Sequence, residues 1–450
     1  LSTDKSCCSL PLAVFNGFHA GLTRMTARPI TIPASNPIRN LRIIWRYALS
    51  TGGPLSISVA HFLASLLILH TLSPKDFGIF SFALIVMPLC LSASGALLVV
   101  SLTGATAKFK ISRDEAFEAH LKANLLFSTG ATIVSGALAL GSGADAGVAA
   151  LLGLYSGAMC LRWFARAAAF IANNPSRVAL SDLCYSLSLL GGLGLFVGLH
   201  GMTITHAALV MFASAILATA SFGHEYLKKQ FLVALNAPLQ SYAAQWRDLT
   251  RWSLLGVLLT EITANAHAYL VTFISGPRSF ALLAVGALFM RPVSLCLSAL
   301  PDVERPFMAR SIANGNLAKA ERCVREFRVM GSATWVATGL LCVAVLNWFP
   351  SLVLKQDYRL TDVTTVVALW SAIMVMRLLR TPESVLLQAA GEFQVLARTT
   401  YLSSAISIVL TLALLLSCGP ILSLIGILAG DGVMTAQTLW AARKWKRAHG

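Results

Sequence analysis

Charge is scarce in this chain of 450 residues: 12% of positions are Asp, Glu, Lys or Arg, about half the share in a soluble domain. Acidic residues are the rarer kind, 19 against 35 basic ones. No Gly-rich phosphate loop of the Walker type occurs, so ATP hydrolysis within this chain is not expected. The nine cysteines contain no CxxC pair, so neither a disulfide framework nor a metal site is expected, and no cofactor is implied. Long polar stretches are missing after the first forty-odd residues, which leaves no segment to fold as a sizeable soluble domain.

What fills the chain is apolar. Hydrophobic residues make up 56%, and the mean hydropathy is +0.72. Windows of ~20 residues, enough to cross ~30 Å of hydrocarbon, predict spans at 48–72, 78–104, 123–142, 146–170, 179–199 and 205–222. A second set falls at 253–275, 279–300, 329–349, 363–380, 398–417 and 420–440. Small residues, as in STGATIVSGALALGSG, suit close helix packing in lipid rather than the alternation of a barrel. The fold class is therefore an all-α polytopic membrane protein of about twelve transmembrane helices.

The loops test this count, because short segments rich in Lys and Arg stay in the cytoplasm. With the N-terminus inside, Lys75, Arg278, Lys355 and Arg359 fall outside and Arg291 falls within a span, while every other Lys and Arg is cytoplasmic. Both ends are then cytoplasmic. The net charge of +16 reads as topology and attraction to anionic membrane lipid. No basic face carries interleaved aromatics, so nucleic acid is not an expected partner.

Residues 1–45 form a polar, proline-bearing segment expected to be disordered, with Met25 a candidate start. A six-helix bundle over 46–222, a cytoplasmic connector over 223–252, a second bundle over 253–440 and a basic tail over 441–450 follow. The connector's mixed aromatic and apolar residues suggest a helix at the membrane interface. Hairpins support two related halves. SPKDFGIFSFALIVMPLCLSA at 73–93 has a near copy, SGPRSFALLAVGALFMRPVSLCLSA, at 275–299, so that Pro74 corresponds to Pro277, 203 positions later. Each half crosses an even number of times, which makes the repeats parallel, a common transporter design.

The stretch LLILHTLSPKDFGIFSFALIV resembles the first hairpin of the polysaccharide-exporting branch of the multidrug/oligosaccharidyl-lipid/polysaccharide flippase superfamily. NAHAYLVTFISGP is similar to that family's seventh span, LPDVERPFMARSIANGNLAKAERCVREFR to the segment after its eighth, and LLQAAGEFQVLARTTYLSSAISIVL to the loop before its eleventh. The resemblance covers roughly 45–440 through several weak motifs in the right order. It implies a bacterial inner-membrane transporter, not an enzyme, that moves a polyisoprenoid-diphosphate-linked oligosaccharide by alternating access, with polysaccharide polymerase and export proteins as possible partners. A cation-coupled multidrug antiporter of the same superfamily is the alternative. Where the family often has an acidic residue in span seven, this chain has His267.

Ionisable residues within spans are costly and are therefore functional candidates. Arg291 in span eight is the first candidate for the diphosphate, because a guanidinium offers phosphate a bidentate fork; snorkelling or helix packing is the plain alternative. Arg162 and Arg166 in span four, with Asn265 in span seven, are further headgroup candidates, although topology alone accounts for the two arginines. Glu261, His61 and His267 are candidates for ion coupling, against the plainer reading of interhelical hydrogen bonds. Asp431 is read as marking a glycine-flanked kink, and Asp182 as stabilising a helix end. Pro74 and Gly78 are read as an outer hinge between the halves.

Overall fold

The computed structural model describes residues 56–99, 101–102, 113–172, 174–199, 201–350 and 358–449. The segment 1–45, Met25, the start of span one and residues 351–357 of the outer loop lie outside them. Every described element is helical. The first half holds α1 Ser56–Thr71, α2 Pro74–Ser94 with a π-helical turn Gly95–Val99, α3 Arg113–Gly141, α4 Ala146–Ile171, α5 Pro175–Leu199 and α6 Ile204–Ala220. The connector forms α7 His224–Asn236 and α8 Gln240–Gln245. The second half holds α9 Arg251–Ala264, α10 Ala266–Ser275, α11 Pro277–Phe289, α12 Arg291–Ala313, α13 Leu317–Trp348, α14 Leu360–Ala389, α15 Phe393–Cys418 and α16 Pro420–His449.

Eight of these helices are individually long and apolar enough to cross a bilayer. Two pairs, α9 with α10 and α11 with α12, bend by 59° and 60° and each reads as one broken span. With the shorter α1 and α6 they complete the expected twelve. Both breaks have local causes. Pro292 sits in the first turn of α12, where it lacks an N–H and its ring crowds the carbonyl four residues back. Asn265 stands between α9 and α10 outside helical geometry, and its backbone N–H and its Nδ2 both donate to the Glu261 carbonyl at 3.1 Å, which closes the last turn of α9.

Several helices outrun their predicted spans. α3 begins ten residues before the predicted 123, and α16 carries the basic tail as a helix to His449. Asp431 marks no kink: it lies within the unbroken α16. Within the first half, α3 and α4 pack closely through the small-residue run, and a Cβ on Gly153 would come 2.5 Å from the Thr132 carbonyl. Packing of this kind holds helices together where lipid offers no hydrophobic drive.

The connector is anchored on the first half. Lys122 Nζ donates to the carbonyls of Leu235 and Ala237 at 3.1 and 2.9 Å, Gln230 Nε2 to Leu121 O at 3.0 Å, and Tyr242 Oη to Leu97 O at 3.1 Å. The halves meet chiefly where α2 packs against α9 and α11. Since α2 and α11 are the repeat-related helices, the sequence repeat is also the seam.

Candidate functional site

The seam has two distinct ends. At the hairpin end, Ser73 caps α2 through the Asp76 N–H at 3.2 Å, and the buried Pro74 opens the helix. One turn on, the missing Cβ of Gly78 faces the carbonyl of Pro277, the partner of Pro74 in the repeat. Phe82 then meets Tyr269, Phe273 and Phe280 edge-on, with ring centroids at 5.7, 5.6 and 6.3 Å. These edge-on ring contacts join the two hairpins at this end of the seam. Further along, toward the end that carries the basic loops, Ser92 Oγ donates to Glu261 Oε1 across the seam at 2.7 Å.

Arg291 lies in the short insertion that separates the second hairpin copy from the first. It opens α12 at the break in span eight and is exposed. Among the described residues no carboxylate lies within ion-pair distance of it. His61 Nε2 is 3.1 Å from Tyr185 Oη, which is 2.9 Å from Tyr155 Oη; both tyrosines are fully buried. His61 therefore ends a hydrogen-bonded chain that runs into the core of the first half.

Arg162 and Arg166 stand elsewhere than at an open mouth. Asp182, expected at a helix end, is buried between them: Arg162 Nη2 is 2.5 Å from Oδ1, and Arg166 reaches Oδ2 through Nη2 at 2.9 Å and Oδ1 through Nε at 2.8 Å. Arg162 also donates to Ser181 Oγ at 3.1 Å. Each guanidinium is covered by a ring, Arg162 by Tyr185 at 4.9 Å and Arg166 by Trp163 at 4.8 Å. Closed on all sides, the group clamps α4 to α5 and offers nothing to a ligand in this arrangement.

The second half repeats the theme with Arg377 and Arg380, at the edge of the predicted span 363–380. Arg377 Nε and Arg380 Nη1 of α14 pair with Asp431 of α16 at 2.9 and 2.8 Å. This ion pair is the role of Asp431. His267 lies edge-on to Trp370 of α14 at 5.8 Å. Asn265 is occupied by the Glu261 carbonyl, as described above. At the basic end, Glu383 joins Arg328 at 3.0 Å and Lys446 at 3.1 Å, tying α13, α14 and the tail of α16 together. The available signal for Arg377 and Arg380 is their spacing of about one turn at the edge of a predicted span, three residues apart where Arg162 and Arg166 are four apart.

No family model matches the chain, and no curated protein matches it in sequence. Solved structures do match in fold. An inward-facing multidrug resistance MATE family transporter of the MOP superfamily aligns over 90% of this chain and 98% of its own, at TM-score 0.67 and 13% identity. The lipid II flippase MurJ in an inward closed conformation aligns over 88% and 87%, at TM-score 0.68 and 11% identity. An outward-facing MATE family transporter gives 0.55 at 14% identity over 90% and 96%. The chain has the fold of these membrane transporters: an all-helical, twelve-span architecture in two related halves.

Proposed function

We propose that this protein is a flippase for polyisoprenoid-diphosphate-linked oligosaccharide repeat units, working by alternating access in a bacterial inner membrane and serving exopolysaccharide, capsule or O-antigen assembly. The observation that carries the reading is Arg291: exposed at the break in span eight, where it opens α12, and without a carboxylate partner among the described residues. A lone guanidinium in a membrane is costly, and a diphosphate would relieve that cost through bidentate contacts. The lipid tail can stay in the bilayer while the polar headgroup passes between the halves. Both termini and the basic loops face the cytoplasm in this reading.

The charge balance favours this substrate over the cationic drugs of the antiporter alternative. Asp182 and Asp431 are each already paired with two arginines. Of the carboxylates deep in the spans, Glu261 alone is free of a cation partner among the described residues, and it accepts from Ser92. The interior is thus net positive. The ring contacts that join the hairpin end support an inward-facing state as the one described. Glu261 is the first candidate for ion coupling, with His61 and His267 behind it. The protein carries out transport rather than bond chemistry, and polymerase and export proteins would act on the delivered unit.

The reading is tested by reconstituting the protein in vesicles containing a fluorescent short-chain polyprenyl-diphosphate disaccharide and following its leaflet by quenching. Faster equilibration with wild type than with protein-free vesicles is expected. No acceleration, together with uptake of a cationic dye, would replace the flippase with the antiporter.

A further inference from the structure

Each half carries two arginines around one aspartate, on α4 with α5 and on α14 with α16, so each group has one positive charge to spare. The two groups differ in how that charge is accommodated. In the first half, the Arg162 and Arg166 side chains are 1% and 6% exposed, and aromatic rings cover both guanidiniums. In the second half, Arg377 is 33% exposed and uses only Nε on Asp431. Neither of its Nη atoms has a protein acceptor among the described residues. Its outer edge, the side that binds a carboxylate or phosphate in fork geometry, is open.

Arg377 also shares a face of α14 with Trp370, two turns away. Trp370 meets His267 of α10 edge-on at 5.8 Å, a half-buried ring on the span that reaches the seam through Glu261 and Tyr269. Arg380 is more deeply held, at 18% exposure, against Asp431 and the Met434 sulfur. Asp431 can neutralise one of the two guanidiniums, and the geometry leaves Arg377 with the unspent charge.

We infer that Arg377 is a second anion-binding point, separate from Arg291, that takes a carboxylate on the sugar portion of the substrate and so selects for acidic oligosaccharides. This rests on the flippase reading above. The diphosphate would occupy Arg291 at the break in span eight, and a uronic acid or other carboxylate-bearing residue would reach the open fork of Arg377. The closed group in the first half has no such role, because reaching it would require stripping off both rings and breaking its bonds to Asp182.

Binding to the purified protein in nanodiscs tests this with two probes, a short-chain polyprenyl-diphosphate disaccharide ending in glucuronate and its counterpart ending in glucose. Wild type is expected to prefer the glucuronate probe by about tenfold, the worth of one good charge-assisted contact. Arg377→Gln should erase the preference while leaving glucose-probe binding in place, and Arg291→Gln should weaken both probes alike. Arg380→Gln disturbs the same aspartate without removing the open fork, so its preference should remain. Arg377→Lys keeps the charge for Asp431 but loses the fork. If Arg377→Gln does not fold, a drop of about threefold or more in the preference of Arg377→Lys carries the point. Equal binding of both probes by wild type, or equal loss of preference in Arg377→Gln and Arg380→Gln, overturns the inference. Wild type that binds neither probe overturns the flippase reading itself, and the inference with it.

Discussion

Gly78 of α2 lies against the carbonyl of Pro277, so the two repeat-related hairpins touch backbone to side-chain vacancy at the seam. A β-carbon at 78 has no room while the hairpin end is closed, which makes this position sensitive to the conformational state.

Gly78→Val should therefore force the hairpin end apart and disfavour the closed seal. Pro74→Ala should act in the same direction more weakly, by loosening the first turn of α2. In both, headgroup binding is expected to persist while transport slows. Spin-label distances between the two hairpins check the first point and vesicle flipping the second; equal losses of binding and transport would count against a hinge.

Asp182→Asn would leave Arg162 and Arg166 buried without their counter-charge. Breaking a buried ion pair in this way costs about 3–5 kcal/mol, so a large fall in thermal midpoint is expected, read by the tryptophan fluorescence of detergent-solubilised protein. A small effect would mean that the rings and Ser181 are sufficient to hold the arginines. Restoring apolar balance with Arg162→Met and Arg166→Met in the same chain should recover part of the loss.

How far these features are legible in the sequence varies with their range. Spans and the repeated hairpin are read directly, since hydropathy, a proline and a capping serine act within a few residues of themselves. The breaks in spans seven and eight are less visible: Pro292 signals one, but the other falls at Asn265, whose capping bonds to the Glu261 carbonyl composition does not reveal. Asp182 and Asp431 were read as local features because their partners lie on other helices, 20 and 54 positions away for Arg162 and Arg377. Only packing brings those charges together. Glu261 and His61 could be named as buried ionisable groups, yet Ser92 and Tyr185 as their partners could not.

Glu261→Gln keeps an acceptor for Ser92 but removes the charge. Transport by this variant is expected to become independent of an imposed proton gradient while binding remains. Ser92→Ala should slow transport and retain gradient dependence, since the carboxylate is still present. Unchanged gradient dependence in Glu261→Gln would move coupling to His61 or His267, which His→Gln variants in the same assay would separate.

Gly153→Leu sets a side chain where α3 and α4 are in contact, with a Cβ 2.5 Å from the Thr132 carbonyl. Overpacking typically costs about 1–3 kcal/mol, and more against backbone, so this variant should lower the thermal midpoint sharply. Gly147, around which a Cβ meets nothing, should tolerate the same change with little effect.

The central claim, that Arg291 receives the diphosphate of a lipid-linked glycan during its passage, is tested most directly in cells. A deletion strain is complemented with wild type or with Arg291→Ala, and lipid-linked repeat units are assayed by leaflet alongside surface polysaccharide. Accumulation on the cytoplasmic leaflet and loss of surface polysaccharide are expected, reversed by wild type and not by Arg291→Ala at equal expression. Normal surface polysaccharide in the deletion strain, with altered sensitivity to cationic drugs, would contradict it.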